Sequence, residues 1–417
     1  MRRPASSAAR GAARGLLAVL LALALVGCAE EPEGIRLRFL DRPDEGGAWA
    51  EILSRFEERH PEIDVELVEG PTSTDTREGM YATTFLSGEA TYDIVYMDVI
   101  WVPRFADRGW LLPLDDRFPE AEREAFLPGD VAGSVFEGSV YRVPLRADAG
   151  VLFYRSDLIE EPPETFAELV RLCERHQDPP DRHGFLFQGQ QYEGLVCSFL
   201  EVLWGHGGRV LDRDGRVVLD GPEGHAALDW LVDLVGRVTP EAVTTYQEEE
   251  SRHVFHEGRA LFLRNWPYVW SKAQAADSPV RGKVGIAPMV HAPGGESSAA
   301  LGGWGFGIAS SCPHPDAAWR FIEFATSAEA MRILNERNGA IPARRALYRD
   351  PELLRRHPHY SQLYEVLLRS RPRPVHPRYA EISDAIQMHV SAALVGEETP
   401  DEAIERAGDQ IRGILDR

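Results

Sequence analysis

The chain has 417 residues and a formal net charge of −21, with 45 Lys and Arg against 66 Asp and Glu. Such acidity argues against a nucleic-acid partner, because phosphate binding needs clustered cations, and otherwise indicates only a well-solvated surface. The length exceeds what one hydrophobic core usually supports, so two domains are expected.

In chain order, Arg2, Arg3, Arg10 and Arg14 flank the start of an apolar run from Leu16 to Val26 with no acid before it, the layout of a secretory signal over residues 1–27. The run is shorter than the ~20 residues a spanning helix needs. It ends in Leu25, Val26, Gly27 and Cys28. That ending resembles the lipobox of bacterial lipoproteins, which implies cleavage before Cys28 and a lipid on its thiol; the alternative is an ordinary signal peptide with an incidental cysteine. Residues 28–33 are too polar to pack and read as a lipidated tether. Cys173, Cys197 and Cys312 remain, an odd number. They are read either as one Cys173–Cys197 bridge or as buried free thiols.

Ile35, Leu37 and Phe39 alternate with polar residues as in a strand, and Trp49, Ile52, Leu53 and Phe56 recur at helical spacing. Ile63, Val65 and Leu67 alternate again, so a parallel strand pair with a crossover helix is expected. A helical stretch around Met80 to Leu86 leads to Asp93–Val99, whose continuous apolar core suits a doubly covered strand. The pattern restarts after Val140. Gly150–Tyr154 reads as a strand, Thr165 and Glu168 form a capping box, Gly184–Phe187 is a strand, and Tyr192–Trp204 is helical. A helix stopped by Gly258 feeds a strand at Ala260–Leu263. Pro293–Ser298 is loop-like and reads as a crossing segment before a strand at Gly302–Ile308 and a helix around Trp319 to Ile322. The tail is helical over Tyr379–Val395, then restarts at Thr399, Pro400 and Glu402. Two α/β units linked by several crossings leave a cleft between them, a favoured ligand site.

Six segments in this order carry a resemblance: YDIVYMDVIW (92–101), PLRADAGVLFYRSDL (144–158), GFLFQGQQYEG (184–194), Asn265-Trp266-Pro267, Gly302-Gly303-Trp304 and Arg373-Pro374-Val375. Together they resemble family 1 extracellular solute-binding proteins, especially the maltose- and trehalose-binding lipoproteins of ABC importers. The resemblance implies a periplasmic-binding-protein-like fold, two α/β lobes joined by a multi-stranded hinge with the ligand cleft between them. Residues 34–143 plus 300–341 would form lobe I, and 144–299 plus 342–417 lobe II. It further implies a monomer outside the membrane, held by its lipid, that binds a sugar and delivers it to membrane permease subunits, with no cofactor and no catalysis.

A sugar presents hydroxyls to charged or amide groups and flat C–H faces to rings. Asp98 ends an apolar strand, where open α/β sheets present ligand-contacting groups, although it could instead cap the next segment. Asp148 stands at the first crossing and could equally pair with Arg146 or Arg142. An aromatic residue is common in the family near the place of Arg146, so this departure leaves a more polar or charged sugar open. Trp266 and Trp304 are the candidate stacking surfaces. The glycines beside Trp304, including Gly303, would give its ring room, so Trp304→Ala and Asp98→Asn are expected to abolish ligand binding with the unliganded stability nearly intact. Arg373, in a stiff Pro-flanked stretch, can offer forked hydrogen bonds to vicinal hydroxyls. Glu45, Arg77, Gln188 and Tyr192 complete the set; Glu45 and Arg77 could be solvent charges and Tyr192 a core residue.

Two other classes are weighed. A secreted glycoside hydrolase could use Asp98 and Asp148 as paired carboxylates. Metal capture could use His253, His256 and Glu257, yet one short helix rarely closes a zinc site without distant ligands.

Overall fold

The computed structural model describes residues 34–417; the secretory signal, Cys28 and the 28–33 tether lie outside the described residues. Strand β1 (Ile35–Asp41), helix α1 (Ala48–Arg59) and strand β2 (Ile63–Glu69) form the expected unit, with β1 and β2 parallel and Ile35 opposite Ile63. Helix α1 buries Trp49, Ile52 and Phe56, one face of a helix by spacing. Helix α2 (Thr74–Ser87) starts where the Ser73 hydroxyl accepts from the Thr76 N–H. Strand β3 (Ile94–Asp98) is buried throughout, and the Asp93 N–H donates to the Arg38 carbonyl at 3.0 Å, which seats it beside β1. Helix α3 (Val102–Asp107) follows.

Strand β4 (Val143–Ala149) runs through Gly150 almost directly into β5 (Val151–Arg155). Only glycine fits between them, because a Cβ there would stand 1.8 Å from the Glu201 carboxylate and 2.7 Å from the Arg264 guanidinium. Helix α4 (Phe166–His176) opens with the capping box of Thr165 and Glu168. Strand β6 (His183–Leu186), the wholly buried helix α5 (Glu193–Gly205) and helix α6 (Glu248–His256) come next. After Gly258 the chain enters β7 (Ala260–Asn265) and then β8 (Val284–Ala287). These strands form one sheet in the order β8-β5-β7-β6, with only β6 and β7 parallel.

Strand β9 (Leu301–Ile308) returns to lie between β3 and β4, antiparallel to both. Helix α7 (Pro315–Ala325) buries Phe321 and Ile322. Helices α8 (Tyr379–Leu394) and α9 (Pro400–Leu415) end the chain, the second opened by the Thr399 and Glu402 box with Pro400 in its first turn.

Besides a third cluster, which takes Ala147 and Ala149 of β4, Val151 and Phe153 of β5 and side chains from Ile341 to Leu367, two larger cores result. One takes side chains from Leu37 to Leu145 and from Trp304 to Leu353; the other from Leu152 to Ala300 and from Ile382 to Ile414. Between them the Ala147 N–H donates to the Ile341 carbonyl, the Arg371 N–H to Ala299 and the Leu301 N–H to Arg371. The architecture is therefore the expected pair of α/β lobes on a multi-stranded hinge. Cys173, Cys197 and Cys312 are buried free thiols, so the bridge reading is set aside.

Candidate functional site

The ladders of β9 decide which side chains meet. Trp304 lies opposite Asp98 on β3 and opposite Arg146 on β4, while Gly302 lies opposite Asp148. Side chains paired across adjacent strands are neighbours, so register alone groups these residues. They line a cleft enclosing ≈ 1040 Å³ of atom-free space, partly open to solvent, together with Arg77, Gly303 and Arg373. Its other wall is Tyr192, Glu193, Glu248 to Glu250, Trp266 and Tyr268.

Asp98 caps the next segment, the alternative considered for it, and also lines the cleft. Its Oδ1 accepts from the Ile100 N–H at 3.2 Å, capping the next turn, and from Arg373 Nη2 at 2.8 Å. Arg373 is buried, and its Nη1 donates to Glu193 Oε1 at 2.8 Å. That guanidinium joins an acid of one lobe to an acid of the other. Burial opposes its charge, but Asp98 and Glu193 outweigh burial and hold it firmly protonated.

Arg146 donates through Nε to the Tyr96 hydroxyl at 3.2 Å and stands 3.2 Å from Asp148. The pairing considered for Asp148 is thus formed, inside the cleft. Burial pushes the Asp148 carboxyl up to about 6, against the pull of Arg146. Arg77 is no solvent charge: it is buried and paired with Asp41 at 2.5 Å, and its guanidinium lies 4.1 Å from the centre of the Trp304 ring. Trp266 is half-buried, donates from Nε1 to Glu248 Oε1 at 3.1 Å, and carries the Arg264 guanidinium 4.3 Å from its ring centre.

The family model of the bacterial extracellular solute-binding proteins matches residues 41–332. The chain belongs to that family. A "Probable ABC transporter-binding protein" of Deinococcus radiodurans is 32% identical over 85% of this chain and 87% of its own length. Among solved structures, a maltose-bound T. maritima MalE3 superposes with a TM-score of 0.87 at 39% identity, covering 91% of this chain and 100% of that one. A Thermotoga lettingae solute-binding protein bound with α-D-tagatose gives 0.83 at 26% identity, covering 92% and 100%. Members of the family bind solutes and are non-catalytic, so the hydrolase alternative falls.

Within this solute-binding protein, three expectations about the site need correction. Gln188 does not line the cleft. It is fully buried, accepts from Arg264 Nη1 at 2.8 Å and donates to Ser251 and to the Arg264 carbonyl, bracing the Arg264–Glu201 ion pair. Glu45 is exposed on the β1–α1 loop and borders an adjoining hollow with Arg42, Arg146 and Tyr268. Third, the glycines beside Trp304 do not free its ring. A Cβ on Gly303, at φ +135°, would meet Asp130 at 2.6 Å and the Arg146 carbonyl at 2.9 Å, and one on Gly305 would meet the Val143 carbonyl at 2.3 Å. They let β9 pack against its neighbours. Trp304 itself is 5% exposed, with Tyr96 and Trp101 at ring distances of 5.1 and 5.3 Å.

Sequence reasoning missed Glu193, Tyr268 and the Glu248–Glu250 run. Acids in a first helical turn ordinarily complement the helix dipole, so nothing in the run pointed to a cleft. Among the described residues no cluster of three or more His, Cys, Asp or Glu could hold a metal, and no helix is long and apolar enough to cross a membrane.

Proposed function

We propose that this solute-binding protein captures a small oligosaccharide, an α-glucoside such as maltose or trehalose, and hands it to the permease subunits of an ABC importer. The observation that carries the reading is the cleft wall: rings at Trp266, Tyr192 and Tyr268 beside charged groups at Asp98, Asp148, Arg146 and Arg373. Rings suit C–H faces, and ionised groups make the stronger hydrogen bonds to hydroxyls. The maltose-bound relative supports the α-glucoside class. Ligand bridging both lobes favours their closure, and the closed form is what the permease recognises. The protein works as a monomer, exported and lipid-anchored through Cys28, without a cofactor.

Arg146 favours a second arm, a sugar acid, because its guanidinium replaces an uncharged ring surface with a cation. The test is thermal unfolding of the purified chain with disaccharides, oligosaccharides, sugar acids, polyamines and divalent metals. A true ligand at a hundred times its Kd stabilises by about 2.7 kcal/mol and raises the midpoint. It is recovered chemically unchanged. A panel in which no carbohydrate moves the midpoint refutes the proposal.

A further inference from the structure

We propose that Asp75 is the positioning residue of closure: its carboxyl group, carried by the first lobe, caps the N-terminus of helix α5 in the second. The proposal rests on the closing motion proposed above. The first N–H groups of a helix have no partner within it. Tyr192, the N-cap residue of α5, supplies no side-chain hydrogen bond to them. Asp75 Oδ2 instead accepts from the Glu193 N–H at 3.3 Å and from the Gln387 side-chain amide at 3.4 Å.

These bonds cross the cleft. Asp75 rides on α2, anchored by Tyr81 in the first core, whereas Glu193 and Gln387 ride on α5 and α8, anchored by Leu195, Ile386 and Val390 in the second. Separating the lobes breaks both bonds and strips α5 of its cap. The contact is also wired to the ligand cleft. Gln387 donates to Ser383 at 2.9 Å, Ser383 donates to Glu193, and Glu193 accepts from Arg373, which holds Asp98. Ligand seated on Asp98 and Arg373 therefore favours the arrangement that Asp75 locks.

The groups facing Asp75 give the lock a pH signature. They are Glu193 on α5, the neutral Gln387 on α8, and Glu78 one turn along α2, which is paired with Arg104 on α3. Burial first, then Glu193 and Glu78, push the Asp75 carboxyl up to about 7. In an open cleft it loses the burial and the Glu193 neighbour and ionises in the ordinary carboxylate range. Closing then takes up a proton. The contribution to closure is full in acid and is lost as pH rises through about 7.

Two variants and two readouts test this. Small-angle scattering of the ligand-free chain at about pH 5.5 and about pH 8.5 should show wild type more compact in acid, with a smaller pH difference in Asp75→Asn, where Glu78 and Asp148 still titrate. With maltose as probe, Asp75→Ala should raise the dissociation rate roughly five- to tenfold with little change in association, and Asp75→Asn, which keeps an acceptor oxygen, should restore most of it. Unchanged scattering and an unchanged dissociation rate in Asp75→Ala overturn the proposal. So does a lower ligand-free midpoint with normal kinetics, which would make Asp75 an ordinary first-turn acid of α2. If maltose fails to bind wild type, the sugar reading falls, while the scattering comparison still decides the role of Asp75.

Discussion

Trp304→Ala tests whether the cleft is lined by its ligand surface or by the edge of a core. The ring is 5% exposed, packs on Tyr96 and Trp101, and has the Arg77 and Arg146 guanidinium groups 4.1 and 5.4 Å from its centre. Truncating a buried Trp costs about 3–5 kcal/mol. The two cation–π contacts account for roughly 0.5–2 kcal/mol each of the interactions lost. At roughly 1 °C per kcal/mol for a chain of this size, the ligand-free midpoint should fall by about 3–5 °C. The assay is calorimetry of the ligand-free and maltose-saturated forms, with Trp304→Phe as the variant that keeps a ring and loses less. A ligand-free midpoint within about 1 °C of wild type, with the maltose shift gone, would refute the reasoning. It would restore Trp304 as an open stacking face.

Arg373→Met leaves Asp98 and Glu193 buried without their shared cation, and urea unfolding should show a loss of about 3–5 kcal/mol. Burial already holds Glu193 above the ordinary carboxylate range, so protonating it as pH falls removes one uncompensated charge and recovers part of the loss. Gln188→Leu takes an acceptor from the buried Arg264 and should destabilise by about 1–3 kcal/mol, while titration calorimetry returns wild-type affinity. The Asp148 carboxyl titrates at about 6 when folded against 3.8 when free. Stability tied to its neutral form is complete below that lower value and lost as pH climbs through the upper one, so Asp148→Asn should gain on wild type across that interval in pH-dependent unfolding.

The fold was legible because its elements follow local rules. Alternation over Ile35–Phe39 and Ile63–Leu67, the unbroken apolar run of β3 and the two capping boxes each specify an element without distant partners. The cleft was legible where a residue's place in its element fixed its direction: Asp98 ends β3, and Asp148 and Trp304 stand on the strands that carry the chain between lobes. What could not be read was pairing. Gln188 sits in a segment that carries the family resemblance, yet Arg264 and Ser251 claim its side-chain polar atoms. Arg77 could be a solvent charge until Asp41, 36 residues away in sequence, is brought against it. Such choices depend on which charges burial forces together, and periodicity carries no trace of that.

The charges at the cleft are largely committed before any ligand arrives. Arg77 holds Asp41, Arg146 holds Tyr96 and Asp148, Arg264 holds Glu201, and Arg373 holds Asp98 and Glu193. A buried ion pair is costly to form but fixed once formed, so the carboxylate oxygens left facing the cleft are already aimed. Incoming hydroxyls then bind oriented acceptors rather than reorganising bare ions, which lowers the ordering cost of recognition. Arg42 is different: it lines both the cleft and the adjoining hollow and forms no ion pair among the described residues. Of the four arginines that line the cleft, Arg42, Arg77, Arg146 and Arg373, it alone has no acid paired with it.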